Sequence, residues 1–547
     1  MKKIHSFWRR VPHGKRLLGA VLGAIATAFS WVWSPNKQVV KQAPVTFLEN
    51  AVGQPVAHTT AGDVLGYTHA TGVLRFARIP FAAPPIDHLR FLPPQPVAPW
   101  QGILDARQPG PICIQRFTAT NKKHPAGQSE DCLSLTVTTP KLDQAKRPVI
   151  VWLHGGGLAN GGNHDATYDG ANFVTRGDVV FVNVQYRLGA LGWLDVSPLG
   201  DEHVKQSKQN GQLDVIAALN WVQRNIAQFG GDPNNVTLMG ESAGAYLAAS
   251  LLLLPEAEPL FHKAILQSGV YDAWEIPADR QELLQRVLTK AKATTLEELQ
   301  QVSAKTLQTI EQDIYQYGRS KGWPDPMPWY SLQGITSDAF AAAAHQGKPV
   351  LHGTLKHEYH LFLLSYGKNN PHGQIVNGFL KILGLNNQQI QQLIEQIQPF
   401  SPDRSQQDLR VDLISAIYMH YPHAMFAENY RHAPTYSYLI DWAAPQYPEL
   451  GAIHALDLPL VFGNFDNWTW ALGDTHPEEL SHKMQNAWIA FAKTANPNHS
   501  DIPSWPTYGQ SQRATMVFGE TTKVVEDPLS WVRDLGPILD TMLMDAQ

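Results

Sequence analysis

"NVTLMGESAGAYLAASLLLL", residues 235–254, is the stretch that decides the fold. Asn235 to Met239 is a short apolar, β-branched run, which predicts a buried strand. The run from Ala245 onward predicts an apolar helix. Between them lie only Gly240-Glu241-Ser242-Ala243-Gly244. A glycine two residues either side of the serine permits a turn that larger side chains would obstruct. G-x-S-x-G arises often by chance, but strand before and helix after is the setting in which a serine is lifted off a sheet as a nucleophile. A serine that only capped a helix would need no glycine on both sides.

The surrounding sequence repeats the strand–helix alternation. Val149 to Leu153 and Val179 to Val184 are nearly continuous in apolar residues, the signature of strands buried on both faces. Pro148 stands just ahead of the first, where a missing N–H does least harm. Val215 to Phe229 has helical spacing and stops at Gly230-Gly231-Asp232-Pro233. Phe261 to Ser268 opens the next unit, and Pro349 to Gly353 and Thr435 to Ile440 predict returning strands. This order predicts an α/β fold with a large, mostly parallel central sheet flanked by helices. Stretches 280–316, 374–398 and 406–428 predict helical insertions around the site entrance.

Bulk composition excludes several classes. Of 547 residues, 44% are apolar and 17% charged, which suits a globular chain with a sizeable core. The formal charge of −5 is small for this length and the body carries no long like-charge run, which argues against nucleic acid as a partner. The N-terminus differs: Lys2, Lys3, Arg9, Arg10, Lys15 and Arg16 precede the uncharged run Leu17 to Trp33. That pattern predicts export, through a signal cut near Ala26-Thr27-Ala28 or an uncleaved membrane anchor with the body outside. Residues 34–46 read as a polar tether. The two cysteines, Cys113 and Cys132, are an even pair in an exported chain and predict a bridge closing a short loop, worth about 3 kcal/mol.

A serine nucleophile in acyl transfer needs donors for the oxyanion it creates. The helix after Ser242 aims amides, including that of Ala243, at developing negative charge. His154-Gly155-Gly156-Gly157 follows the Val149–Leu153 strand, and main chain without Cβ atoms can approach a ligand closely. Gly156 and Gly157 would join Ala243 as a three-donor oxyanion hole. A phosphate loop would need a lysine that this run lacks.

With those motifs in place, the chain resembles the type-B carboxylesterase/lipase family, the α/β-hydrolase branch that includes the cholinesterases. The resemblance runs from about residue 50 to about residue 525. It rests on "RFARIPFAAPP" (75–85), "SEDCLSLTV" (129–137), "VWLHGGG" (151–157), "VNVQYRLGALGWL" (182–194), "FGGDPNNVTLMGESAGA" (229–245), "AILQSG" (264–269), "GAIHALDLPLVFG" (451–463) and "AWIAFAKTANPN" (487–498). It implies that Glu358, in "PVLHGTLKHEYHLF", is the acid of a catalytic triad and His454, in "GAIHALDLP", its base. Tyr359 stands where the family usually has glycine. The order serine, acid, base is that of the fold. His357-Glu358-Tyr359-His360 falls one residue short of the zinc motif H-E-x-x-H. Glu241 and Asp457 read as structural carboxylates.

The implied enzyme is a serine carboxylic-ester hydrolase acting on a small-molecule ester and water, with no metal or organic cofactor. Residues 47–540 would form its catalytic domain. In the cholinesterases, as the resemblance implies, a tryptophan in the first disulfide loop binds a quaternary ammonium; the loop here, "IQRFTATNKKHPAGQSED", has none, which points to largely uncharged esters. Leu158 replaces the Phe or Trp common after the glycine run, implying a differently shaped acyl pocket. Trp193, Trp323 and Trp329 are candidates for the walls of an entrance. A lipase, a specialised natural-product esterase and a non-catalytic adhesion homologue are the rival readings; the last requires loss of a triad or oxyanion residue, and all are in place.

Overall fold

The computed structural model of the protein describes residues 45–115, 124–200, 202–271, 280–321, 337–343, 347–364, 376, 380–381, 385–430, 433–509 and 512–544. The N-terminal export segment 1–33, most of the tether, and Trp323 and Trp329 lie outside the described residues. Among those described, no helix is long and apolar enough to cross a membrane.

The organising element is a sheet of eleven strands: β1 (Tyr67–Thr68), β2 (Leu74–Pro80), β3 (Ser134–Thr139), β4 (Arg147–Leu153), β5 (Val180–Val184), β6 (Gly231–Glu241), β7 (Lys263–Gln267), β8 (Val350–Leu355), β9 (Thr435–Ile440), β10 (Ala514–Phe518) and β11 (Lys523–Glu526). Its order is β11-β10-β9-β8-β7-β6-β4-β5-β3-β2-β1. Neighbours from β5 through β10 pair in parallel, and antiparallel strands finish both edges. A separate four-stranded sheet of Phe47–Leu48, Val56–His58, Asp63–Leu65 and Ile103–Asp105 lies near the N-terminal end.

Alternation along the strands explains why the central runs are apolar throughout. Val149, Val151 and Leu153 of β4 join one hydrophobic cluster, shared with Val215, Leu219 and Val222. Ile150 and Trp152 join another, shared with Met484, Trp488 and Phe491. The first set comes from helix α1 (Asn210–Asn225) and the second from helix α4 (Glu478–Thr494), with α2 (Ala243–Leu251) and α3 (Asp457–Phe462) between them in the chain. Successive side chains point to opposite faces, and both faces are covered.

Three local expectations need correcting. Pro148 lies inside β4 rather than ahead of it; the pairing with β6 shifts register between Arg147 and Val149, and that irregularity absorbs the missing donor. Helix α1 begins five residues before Val215, at Asn210. Its first turn buries Asn210 and Gln212 instead of apolar groups, and just beyond it Asp214 accepts hydrogen bonds from Arg187 Nε and Nη2 at 2.8 and 2.7 Å, so no hydrophobic stripe marks the start. Strand β6 extends back to Gly231, where it pairs with Arg147 beyond the irregularity.

The insertions are helical as expected. Arg280–Ala291, Leu296–Gln300 and Ala304–Lys321 fill the first. Asn387–Ile397 is the described helix of the second, and Gln406–Ser415, a single π turn over Ala416–His420, and Tyr421–Asn429 fill the third. Trp193 is buried in the core and forms no wall. Cys113 and Cys132 are joined by a disulfide across a separation of 19 residues.

Candidate active site

Strand β6 ends at Glu241, α2 starts at Ala243, and Ser242 is the whole connection. Its backbone sits at φ 53°, ψ −127°, a conformation that costs a non-glycine residue energy and persists only where surroundings enforce it. The surroundings here do. Ser242 N donates to Gln267 O of β7 at 2.8 Å, and Ser242 O accepts from Ala245 N and Tyr246 N at 2.9 and 3.0 Å. Both flanking glycines are required by contact. A Cβ on Gly240 would stand 2.4 Å from the Gly244 main chain, and one on Gly244 would stand 2.1 Å from Leu153 O. Among the described residues Ser242 Oγ makes no hydrogen bond, and the side chain is not fully buried.

The glycine run after β4 passes directly against this turn. A Cβ on Gly155 would meet Glu241 Oε2 at 2.5 Å and Ser242 Cβ at 3.0 Å. Gly156 and Gly157 adopt φ of 109° and 64° and stand at the more open end of the run. Ala243 is fully buried and its amide belongs to the first helical turn, where no intrahelical acceptor exists. The run is anchored from behind by His154, stacked on Tyr186 with ring centroids 4.5 Å apart, while Tyr186 Oη donates to His154 O at 2.6 Å.

Glu358 and His454 come together from loops after β8 and β9. Glu358 is 0% exposed and His454 4%. Their contact, His454 Nδ1 to Glu358 Oε2, is 2.5 Å. The other carboxylate oxygen accepts from Leu355 N at 2.9 Å and from Ser268 Oγ at 2.7 Å. Burial works to raise the Glu358 pKa, but the His454 charge and these donors outweigh it and hold the carboxyl below its ordinary value. Burial likewise works to lower His454, and the carboxylates of Glu241 and Glu358 overturn that, pushing the imidazole up to about 9.

Glu241 is 3% exposed, and its Oε1 stands 3.2 Å from His454 Nε2, on the ring edge opposite Glu358. Burial is the main cause raising its pKa, to about 8, with Asp457 and Glu358 adding to it against the pull of His454. The residue read as merely structural therefore touches the imidazole. Asp457 is structural as expected: its Oδ2 accepts from Gln267 Nε2 at 2.6 Å, and Gln267 Oε1 in turn accepts from Trp488 Nε1 at 3.1 Å. His360 faces Asp412 Oδ1 at 3.0 Å and is not directed at Glu358. Among the described residues no group of three or more His, Cys, Asp or Glu is arranged to hold a metal ion. Leu158 is fully buried in the core. Ser268 was missed by sequence reasoning although it stands in the quoted "AILQSG"; nothing local marks a serine whose partner is 90 residues away.

The carboxylesterase family model matches residues 53–531. The chain belongs to the carboxylesterase family. This carboxylesterase is 33% identical over 490 residues to the para-nitrobenzyl esterase of Bacillus subtilis, with 87% of the chain and 97% of that relative covered. It is 32% identical over 539 residues to liver carboxylesterase B-1 of Rattus norvegicus, covering 89% and 94%. Among solved structures it is similar to the carboxylesterase EST55 of Geobacillus stearothermophilus, with a TM-score of 0.77, 31% identity, and 88% of this chain and 99% of that one covered. The carboxylesterase is thus a serine hydrolase of carboxylic esters on the α/β-hydrolase fold.

Proposed function

We propose that Ser242, His454 and Glu358 are the catalytic triad, that the amides of Gly156, Gly157 and Ala243 are the oxyanion hole, and that the preferred substrates are small to medium, largely uncharged esters. The observation that carries this reading is Ser242 held at φ 53° on a turn between β6 and α2, its neighbour Glu241 standing 3.2 Å from Nε2 of a buried imidazole whose Nδ1 is fixed by Glu358 at 2.5 Å. Nε2 faces Glu241 Oε1 at 3.2 Å in the free protein, and the proposal requires it to turn to the Ser242 hydroxyl, a contact of the kind that commonly tightens only when substrate is present.

The cycle has two halves. Ser242 Oγ attacks the ester carbonyl carbon as His454 Nε2 takes its proton, and the tetrahedral oxyanion receives the three amide N–H groups. Collapse breaks the bond to the alkoxy oxygen, which leaves as the alcohol with the proton from His454. Water then attacks the acyl-enzyme with His454 again as base, and Ser242 leaves with that proton as the acid is released. Glu358 keeps the Nδ1 proton in place and stabilises the imidazolium. Residues 47–540 carry all of these groups. Their export, by a cleaved signal or a retained anchor at Leu17 to Trp33, is supported by the basic N-terminus and by the Cys113–Cys132 bridge, which persists in oxidising compartments.

Hydrolysis of p-nitrophenyl acetate, butyrate and octanoate by wild type and Ser242→Ala tests the proposal. Turnover of the two shorter esters that disappears in Ser242→Ala is expected. Equal rates in both proteins would remove the mechanism, and a strong preference for octanoate would replace the substrate class with that of a lipase.

A further inference from the structure

In the zinc-like "HEYH", residues 357–360, the catalytic reading uses Glu358 and leaves His357 without a role. It lies where two loops meet: the one carrying Glu358 after β8 and the one carrying His454 after β9. His357 N donates to Ala452 O at 2.9 Å. Ala452 N donates back to His357 Nδ1 at 3.2 Å. Next to this pair of bonds, His454 N donates to Glu358 O at 3.3 Å. Main chain and ring of one residue thus clasp the peptide two positions before the imidazole at 454.

The opposing loop is shaped to receive that ring. Gly451 has φ 71°, and a Cβ there would stand 2.1 Å from His357 Nδ1. A residue with a side chain could not occupy position 451 without moving the ring. The clasp needs an unprotonated Nδ1, since a protonated one has no lone pair to offer. Burial holds the His357 pKa down at about 3; Asp412 opposes this, while His360, Arg404 and Lys356 add to it. The acceptor is therefore kept through the pH range in which esters are assayed.

We propose that His357 is a positioning residue that staples the Glu358 loop to the His454 loop and so holds the two side chains at bonding distance. The inference rests on the triad reading above. It concerns a residue that touches neither substrate nor the reacting atoms and acts only through the peptide at 451–454.

The test compares full-length His357→Leu, which fills space without an acceptor, with His357→Asn, whose Oδ1 restores one. Readouts are kcat and KM for p-nitrophenyl butyrate and the downfield proton resonance of the His454 Nδ1–H. Leucine is expected to lower kcat about 10- to 100-fold, the range for an ångström-scale misplacement. KM should stay within about twofold, and the resonance should broaden or vanish. Asparagine is expected to return kcat to within about threefold of wild type, a step that lost packing alone would not produce. Equal kcat in all three proteins, or equal impairment in both variants, would overturn the proposal. Should the leucine variant fail to fold, Gly451→Ala in the wild-type and His357→Asn backgrounds decides. Backbone strain at φ 71° is common to both, so a cost at least about fivefold greater with histidine present supports the clasp, and equal costs refute it. Ser242→Ala is run alongside. If it retains turnover, the triad reading falls by itself, while the His454 resonance still reports whether His357 holds the loop.

Discussion

Replacing Glu358 by glutamine removes a charge and reverses a hydrogen bond while changing almost no volume. The amide oxygen can still accept from Leu355 N and Ser268 Oγ, which now meet Oε1 at 2.9 and 2.7 Å, so the buried cluster stays satisfied and the fold is expected to survive. The amide NH2 then faces His454 Nδ1, where Oε2 stands at 2.5 Å in the wild type. A donor in that position forces the imidazole proton onto Nε2, the nitrogen that must accept from Ser242. The lost attraction to an imidazolium, for charge centres about 4 Å apart at an effective dielectric near 20, is about 4 kcal/mol. At 1.4 kcal/mol per decade this corresponds to a fall in kcat of about 10³, and the wrong tautomer carries it toward the roughly 10⁴ seen when a triad aspartate becomes asparagine. Because Glu358 is 0% exposed, KM is expected to change little. The assay is steady-state hydrolysis of p-nitrophenyl butyrate, with Ser242→Ala as the floor and thermal melting as the folding control. Glu358→Asp, which keeps the charge but withdraws it by one methylene, should fall between. A folded Glu358→Gln enzyme within about tenfold of wild-type kcat would refute the assignment of the acid.

Three further outcomes follow from the same geometry. Glu241→Gln removes the largest of the influences raising His454, so the imidazole pKa falls; since the base must be neutral, the acid limb of kcat/KM moves to lower pH, and an unmoved or upward-shifted limb would contradict this. Ser268→Ala deletes one of two donors to Glu358 Oε1, weakening the carboxylate's hold on the ionised form; kcat should drop about tenfold, whereas an unchanged pH–rate profile and kcat would show the bond to be idle. Replacing both Cys113 and Cys132 by serine opens a loop of separation 19, and denaturant unfolding should show a loss of about 3 kcal/mol with the esterase rate at 25 °C retained; an unchanged midpoint would refute the estimate.

Local pattern was readable wherever local forces decide. The continuous apolar runs of β4 and β5 required burial on both faces, and the sheet provides it. The glycines flanking Ser242 required close main-chain contacts, and Gly240 and Gly244 make them at 2.4 and 2.1 Å. Polar groups that pair across the fold were not readable. The start of α1 is buried through Asp214 and Arg187 rather than through an apolar stripe, so the periodicity signal began five residues late. Glu358 meets Ser268 across 90 residues and His454 across 96, and no spacing rule reaches that far. Family resemblance supplied Glu358 and His454; with 22 histidines in the chain, chemistry alone did not single out one base. Glu241 is buried as expected, but its contact with an imidazole more than two hundred positions later was unreadable for a related reason: its neighbours in sequence say nothing of its neighbour in space.

The most direct test of the proposed triad is to quench a reaction with p-nitrophenyl butyrate in acid after a few turnovers and weigh the peptides. The account predicts a butyryl mass on the peptide containing Ser242, formed with a p-nitrophenol burst stoichiometric with enzyme and absent from Ser242→Ala. Butyryl mass on a different residue, or turnover in Ser242→Ala at the wild-type rate, would contradict it.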